Sequence, residues 1–380
     1  MQPLTFLTFL TFSQIIYLFS SQLIVIGFYL LAILIIAKNY RNELQIKHKD
    51  LYPIYLLTIW MFLSCFWSIN ATKSLDTGVR ITLMNVLGIV TYYLMPKTKF
   101  VINVNYKKLF TIILTLINLL ILLEHYHYYK ISLYLRWLLG FSLKITQPFD
   151  KGSVLLLMLM PSFLYSLYHR SFLYYLLICI TCITFSMHLL FAANLAFTLM
   201  VLTSLAFMLF KRRLVGLIFM GSASMCMLTP LIFSIFNNER FLQFLLPKIE
   251  LSWKYRVEIW QNTLVKIMEK PMLGHGMGSS PYLTADNGTQ LLQLHPHNGF
   301  LQIWVELGAI GAIFVSLILI NLYNVISKIK DNKLVLLSLM TFVGYFTFFS
   351  VSYGIWQYWF IGSIWVALIS LKKLTFTEET

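Results

Sequence analysis

Apolar runs of about 20 residues, each long enough to cross a bilayer as a helix, follow one another along this 380-residue chain. Backbone groups inside lipid have no water to bond, so a spanning segment must be a helix or part of a closed barrel. The runs are continuous rather than alternating, which excludes the barrel. The expected fold class is therefore all-α, a polytopic membrane protein. Composition agrees: 59% of residues are hydrophobic and 11% charged, with a mean hydropathy of +0.76, where a soluble domain carries about 25% charged residues.

Spans are read at 4–20, 22–38, 51–69, 78–95, 108–124, 152–168, 172–188, 189–210, 214–236, 298–325, 334–351 and 355–371, about twelve within boundary errors of a few residues. No basic residue precedes Lys38 and no small-residue cleavage site follows the first run, so that run is expected to stay as a helix. With the N-terminus inside, the short inner segments hold Lys38, Arg41, Lys47 and Lys49, then Lys97, Lys99, Lys107 and Lys108, then Arg170, and then Lys211, Arg212 and Arg213. Lys328, Lys330, Lys333, Lys372 and Lys373 follow the same pattern. This is the positive-inside distribution, with both termini cytoplasmic. It also accounts for most of the net charge of +15. The cations form no single stripe, so nucleic acid is not an expected partner.

Three tracts follow from this reading: spans one to nine within 1–236, a large outer loop at 237–297, and the last three spans within 298–380. Cys65, Cys179, Cys182 and Cys226 all lie in apolar segments, so they indicate packing rather than disulfides or zinc.

Polar chemistry concentrates in the two longer outer segments, near 125–151 and 237–297. The first places Arg136, Lys144 and Lys151 among aromatics, either as interfacial anchors or as a cationic rim for phosphate. In the second, Ile249, Trp253, Val257, Trp260, Leu264 and Ile267 recur at three- or four-residue steps, the pattern of an amphipathic helix lying on the membrane surface. Arg256 borders that stripe. It either snorkels and stacks on tryptophan or clamps a phosphate with its planar fork. Pro271 ends the helix, and Gly274-His275-Gly276-Met277-Gly278 reads as a flexible turn rather than a nucleotide loop.

After Asp286, Asn287, Gly288 and Thr289 comes His295-Pro296-His297-Asn298, at the start of the next span. His297 is expected in the first helical turn, where the positive end of the helix favours a neutral imidazole able to accept a proton. Alternatively, both histidines are interfacial caps, or they join His275 and Asp286 around zinc, although no second motif with ligand spacing supports that. Glu306 is out of phase with His297 and is expected to face a neighbouring helix or a polar cavity. Gly308, Gly311 and Ala312 offer a small surface for close helix approach.

These residues resemble the bacterial O-antigen ligase and polymerase superfamily, membrane glycosyltransferases that take glycans from a polyprenyl carrier. Arg256-Val257-Glu258-Ile259-Trp260 followed by Pro271-Met272-Leu273-Gly274-His275-Gly276 is similar to the family's Arg-x-x-x-Trp and Pro-hydrophobic-Leu-Gly-x-Gly pattern. His297-Asn298 with Gly308-x-x-Gly311 is similar to the ligase signature, and Phe149-Asp150-Lys151-Gly152-Ser153 looks like a basic-Gly-small motif of one branch. Many ligases also carry an arginine in a mid-chain membrane helix. The comparable stretch here, Phe191-Ala192-Ala193-Asn194, has none.

The resemblance implies an undecaprenyl-pyrophosphate-linked glycan as donor, a sugar hydroxyl of lipid A–core as acceptor, and transfer at the periplasmic face of the inner membrane without metal or cofactor. His297 and Arg256 would be catalytic, with Arg136, Lys151, Trp260, His295 and Asn298 binding substrate. A glycan polymerase or protein O-oligosaccharyltransferase shares these motifs. A polysaccharide or lipid transporter could share the span number but places ionisable groups at mid-membrane.

Overall fold

The computed structural model describes residues 3–95, 102–138, 140, 149–284 and 295–374. Lys97, Lys99, Lys144, Asp286, Asn287, Gly288 and Thr289 lie outside the described residues. The described chain is helical, with no β-strand. The helices are α1 (Pro3–Phe19), α2 (Ser21–Asn39), α3 (Tyr52–Leu63), α4 (Ala71–Leu94), α5 (Val104–Tyr126), α6 (Lys130–Leu138), α7 (Asp150–Ser166) and α8 (Phe172–Ser186). They continue with α9 (Phe191–Phe210), α10 (Arg213–Phe233), α11 (Glu239–Leu245), α12 (Leu251–Glu269), α13 (Gly299–Ser327), α14 (Asn332–Val351) and α15 (Tyr358–Leu374). Six of them are long and apolar enough to cross a membrane: α2, α5, α9, α10 with the turn after it, α13 and α14. Shorter apolar helices cover Leu4–Phe19, Tyr52–Trp67 and Phe172–Ser186.

Burial follows the residue pattern. Every residue of α7 from Gly152 to Phe163 is buried, as a helix apolar all round must be. The main core gathers around it from α1, α2, α5, α14 and α15. A second tight contact joins α10 to α13. Here Ala223 and Ala312 are both buried, Trp304 Nε1 donates to the Cys226 carbonyl at 2.8 Å, and Ser316 donates to the Ala223 carbonyl at 3.3 Å.

The basic inter-helix segments meet at one end of the bundle. Arg212 donates to Asn332 Oδ1 at 3.0 Å and to the carbonyls of Ser327 and Lys330. Lys47, His48 and Lys49 line a cleft with Lys328. Since α13 begins at Gly299 and α14 ends at Val351, the histidine motif and the α14–α15 turn occupy the opposite end.

Two expectations change in the structure. The apolar stripe of α12 faces protein: Val257, Trp260, Leu264 and Ile267 pack with Phe233, Leu301 and Val305. Covering an adjoining helix removes the same apolar area from water that a lipid surface would. The glycine-rich turn is also pinned rather than flexible. The His275 and Gly276 amides donate to the Val305 and Glu306 carbonyls at 2.9 and 2.8 Å, and the Ala309 amide donates to the Pro271 carbonyl at 2.8 Å.

That last bond exists because α13 is broken at Gly308, whose φ of 68° and ψ of −167° are not helical. Only glycine adopts such a conformation readily. A Cβ on Gly308 would lie 2.2 Å from the Met272 carbonyl oxygen. Pro271 and Met272 thus lend carbonyls to amides that the break leaves unpaired. Gly308 serves loop entry, while Ala312 provides the close helix approach expected of both.

Candidate functional site

Three successive carbonyls at the end of α14 hold the three polar residues singled out by the sequence. Asn298 Nδ2 donates to the Ser350 carbonyl at 2.8 Å, Arg256 donates to the Val351 carbonyl at 2.6 Å, and His297 Nδ1 lies 3.0 Å from the Ser352 carbonyl. The last carbonyls of a helix have no partner within it, and the negative end of the helix dipole favours cations and N–H donors.

This contact fixes a tautomer. A carbonyl oxygen only accepts, so Nδ1 of neutral His297 carries the proton, which leaves Nε2 as the lone-pair nitrogen. Burial pushes the His297 imidazole below its usual pKa, and the positive Arg256 pushes in the same direction against the Ser352 bond. The ring is therefore neutral at pH 7 and can accept a proton.

Helix α13 starts one residue later than expected. Asn298 is the N-cap, with Oδ1 accepting from the Leu301 amide at 2.9 Å, as asparagine does at this position. His297 consequently sits before the helix in the left-handed region, at φ 55°. Both ends of the Asn298 side chain are occupied by backbone, and the residue is buried.

His295 clamps its neighbour. Its Nδ1 accepts from the His297 amide at 3.1 Å, and the two rings are 4.4 Å apart. Burial, then His297 and Arg256, lower the His295 pKa to about 3. Trp260 is buried in a nest with Phe233, Phe236 and Trp253, and its Nε1 donates to the Pro296 carbonyl at 3.0 Å. The Arg256 guanidinium stacks 4.6 Å from the centre of the Trp253 ring. It is half-buried, and desolvation lowers its pKa, yet it stays charged at neutral pH. Stacking and carbonyl bonding leave further N–H donors of its five for an anion.

Lys151 and Arg136 do not share the α14 carbonyls that hold this trio. Lys151, on the first turn of α7, lies 5.6 Å from the centre of the Trp359 ring. Trp359 packs edge-on against Tyr353 at 4.7 Å, so Lys151 adjoins the α14–α15 turn. Arg136 is buried in α6 and donates to the Phe19 carbonyl at 2.8 Å.

A polar stripe on α13 was not singled out as a unit. Asn298, Gln302 and Glu306 are spaced by four residues, so they share one helix face. Gln302 Oε1 accepts from the Ile355 amide at 3.0 Å. Glu306, fully buried, accepts from Trp356 Nε1 at 2.5 Å, Gly278 N at 2.6 Å, Gln302 Nε2 at 3.0 Å and Ser280 Oγ. It therefore faces neighbouring elements, as expected, and joins the glycine turn to the α14–α15 turn. The Asn-x-x-x-Gln-x-x-x-Glu spacing inside an apolar helix was the available signal.

The zinc alternative at the histidine pair gains no support from His275. That ring lies 2.8 Å from the Lys266 carbonyl and is walled in by α12 and α13, while Asp286 is outside the described residues.

Comparison with known proteins bears on the same stretch. Residues 151–316 match the O-antigen ligase family. The resemblance to the O-antigen ligase superfamily is borne out. The matched segment includes Lys151, Arg256, Trp260, His295, His297 and Asn298, and leaves Arg136 outside. A candidate polysaccharide ligase of Rickettsia conorii is 38% identical over 133 residues, 32% of each chain. One of Rickettsia typhi is 40% identical over 134 residues, 32% of this chain and 33% of the relative. The chain spans about a third of the length of these relatives. No solved structure matches.

Proposed function

We propose that this chain is an O-antigen ligase-like glycosyltransferase. It moves a glycan from undecaprenyl pyrophosphate to a sugar hydroxyl of lipid A–core at the periplasmic face of the inner membrane. The single observation that carries the reading is the convergence of a neutral imidazole and a guanidinium on neighbouring carbonyls of α14, within the segment that resembles ligases.

In this reading the acceptor hydroxyl loses its proton to His297 Nε2 as its oxygen bonds to the anomeric carbon of the donor. The bond from that carbon to the pyrophosphate oxygen breaks, and undecaprenyl pyrophosphate departs with the electron pair. Negative charge grows on the departing oxygen, where a positioned cation lowers the barrier. Arg256 supplies it, and Lys151 serves as the second cation in place of the absent mid-chain arginine. With two cations available, the transfer requires no metal.

His295 acts by holding the His297 backbone, Trp260 by holding Pro296, and Asn298 by starting α13, so these three position the site. Arg136, tied to the end of α1, fits anchorage of α6 beside the site better than contact with the donor. The basic end of the bundle is assigned to the cytoplasm by the positive-inside rule.

The test is reconstitution. Purified protein with labelled carrier-linked glycan and lipid A–core should form the joined product, and His297→Ala protein should not. Transfer onto another carrier-linked glycan or onto protein would instead assign the polymerase or protein-transferase activity. No transfer to any of the three acceptors would reject the enzyme reading.

A further inference from the structure

Beside the proposed transfer centre, at the same end of the bundle, three buried groups meet that the proposed mechanism does not use. His125 is in the last turn of α5, Asp150 opens α7, and His188 lies between α8 and α9. Each offers a ligand atom within 4.8 Å of the others. The two imidazoles are 3.9 Å apart, centre to centre.

The decisive feature is His125. It is 3% exposed, and neither ring nitrogen has a hydrogen-bond partner. A buried polar group without a partner is costly, and this one points into a space shared with a carboxylate and a second imidazole. Its neighbours are already oriented. Tyr129 Oη donates to Asp150 Oδ1 at 2.7 Å, through a turn in which Tyr128 and Tyr129 both take positive φ. That leaves the other carboxylate oxygen available. His188 accepts the Leu190 amide on Nδ1 at 3.0 Å and lies 2.7 Å from Ser153 Oγ through Nε2.

We propose that His125, Asp150 and His188 form a binding site for one divalent transition-metal ion of the zinc class, tying the ends of α5 and α7 to the α8–α9 turn. Two imidazoles and one carboxylate suit zinc rather than magnesium or calcium, which prefer all-oxygen sets. Bonds of about 2.0–2.2 Å require the three groups to close slightly around the ion. His188 exchanges the Leu190 amide on Nδ1 for the metal and keeps its Nε2–H bond to Ser153 Oγ, which fixes its ring, while Tyr129 orients the carboxylate. Such outer partners are the usual companions of metal ligands. A fourth position remains for water. The ion braces helix ends and takes no part in glycan transfer, so this inference stands apart from the proposed activity.

The test uses full-length protein in detergent, stripped with chelator and reloaded with Zn2+ or Co2+. Expected are one equivalent of zinc by elemental analysis, ligand-field bands of four-coordinate Co2+, and a higher melting temperature with metal. His125→Gln and Asp150→Asn should each lose the metal and the temperature gain, while His297→Ala should keep both. Asp150→Asn can keep its Tyr129 contact, and so separates loss of a ligand from loss of folding. The proposal is overturned if wild-type protein takes up no metal, if both ligand variants still load one equivalent, or if uptake is lost only in His297→Ala.

Discussion

Arg256 and His297 hang from adjacent carbonyls, those of Val351 and Ser352, so one helix end sets the position of both. The Ser352 bond also settles which imidazole nitrogen is free to take a proton. His297→Gln can keep a donor near Ser352 but cannot act as a base. Glycan transfer by this variant should fall by about 10²- to 10⁴-fold, the usual worth of general-base help, with melting temperature unchanged. Near-normal transfer would remove His297 from the proton step.

The acid side of the pH–rate profile tests the link between the two residues. A base works when unprotonated, so activity falls as pH drops through the His297 pKa, which burial and Arg256 hold below 6.5. Arg256→Gln removes the positive neighbour and should move the acid limb of the residual activity to higher pH. A limb that stays in place would show that the guanidinium does not act on the ring.

Stability should respond to acid through His295. Its folded-state pKa of about 3 lies below the ordinary 6.5. Between these values the unfolded chain binds a proton that the folded site refuses, so the stabilisation present above pH 6.5 is lost as pH falls. Thermal melts in detergent from pH 7 to pH 4 should show the decline, and His295→Gln should flatten it. Equal slopes in the two proteins would assign the acid sensitivity elsewhere.

Gly308→Ala tests the broken helix. The new methyl group meets the Met272 carbonyl, and the residue must hold a positive φ, a strain of about 1–3 kcal/mol. A clear drop in melting temperature is expected, together with easier proteolysis between Pro271 and Gly278. Gly221→Ala, at a position with open space around it, is the control and should leave both unchanged.

Glu306 gathers four donors from three parts of the chain. Replacing it with glutamine turns one acceptor oxygen into a donor that faces donors. Leaving a buried donor unsatisfied costs about 1–3 kcal/mol. Glu306→Gln should therefore lower the melting temperature and also reduce transfer, because Trp356 belongs to the α14–α15 turn. A fully stable and active variant would show that the carboxylate does not hold the two turns together.

The sequence disclosed much of this arrangement. Each expected span coincides with a helix, six of the described helices being long and apolar enough to cross a membrane, and Arg256, His297 and Asn298 stood out as polar groups in apolar surroundings. What the residues could not disclose were backbone partners, since the carbonyls of Ser350, Val351 and Ser352 leave no mark in residue type. The α12 stripe was legible as a face but not as to what covers it, lipid or α13. His125, Asp150 and His188 are too far apart along the chain to read as a set, and only the packing of α5 and α7 with the α8–α9 pair brings them together.

The break at Gly308 divides α13 into a shorter tract and a longer one. Both the tract before it, Gly299 to Leu307, and the tract after it pack along α10, and the shorter one is also bonded to the glycine turn and to the α14–α15 turn. Retilting a spanning helix to match bilayer thickness costs little, and a helix discontinuous at Gly308 need not pass such a tilt as a rigid rotation to the residues that head the shorter tract.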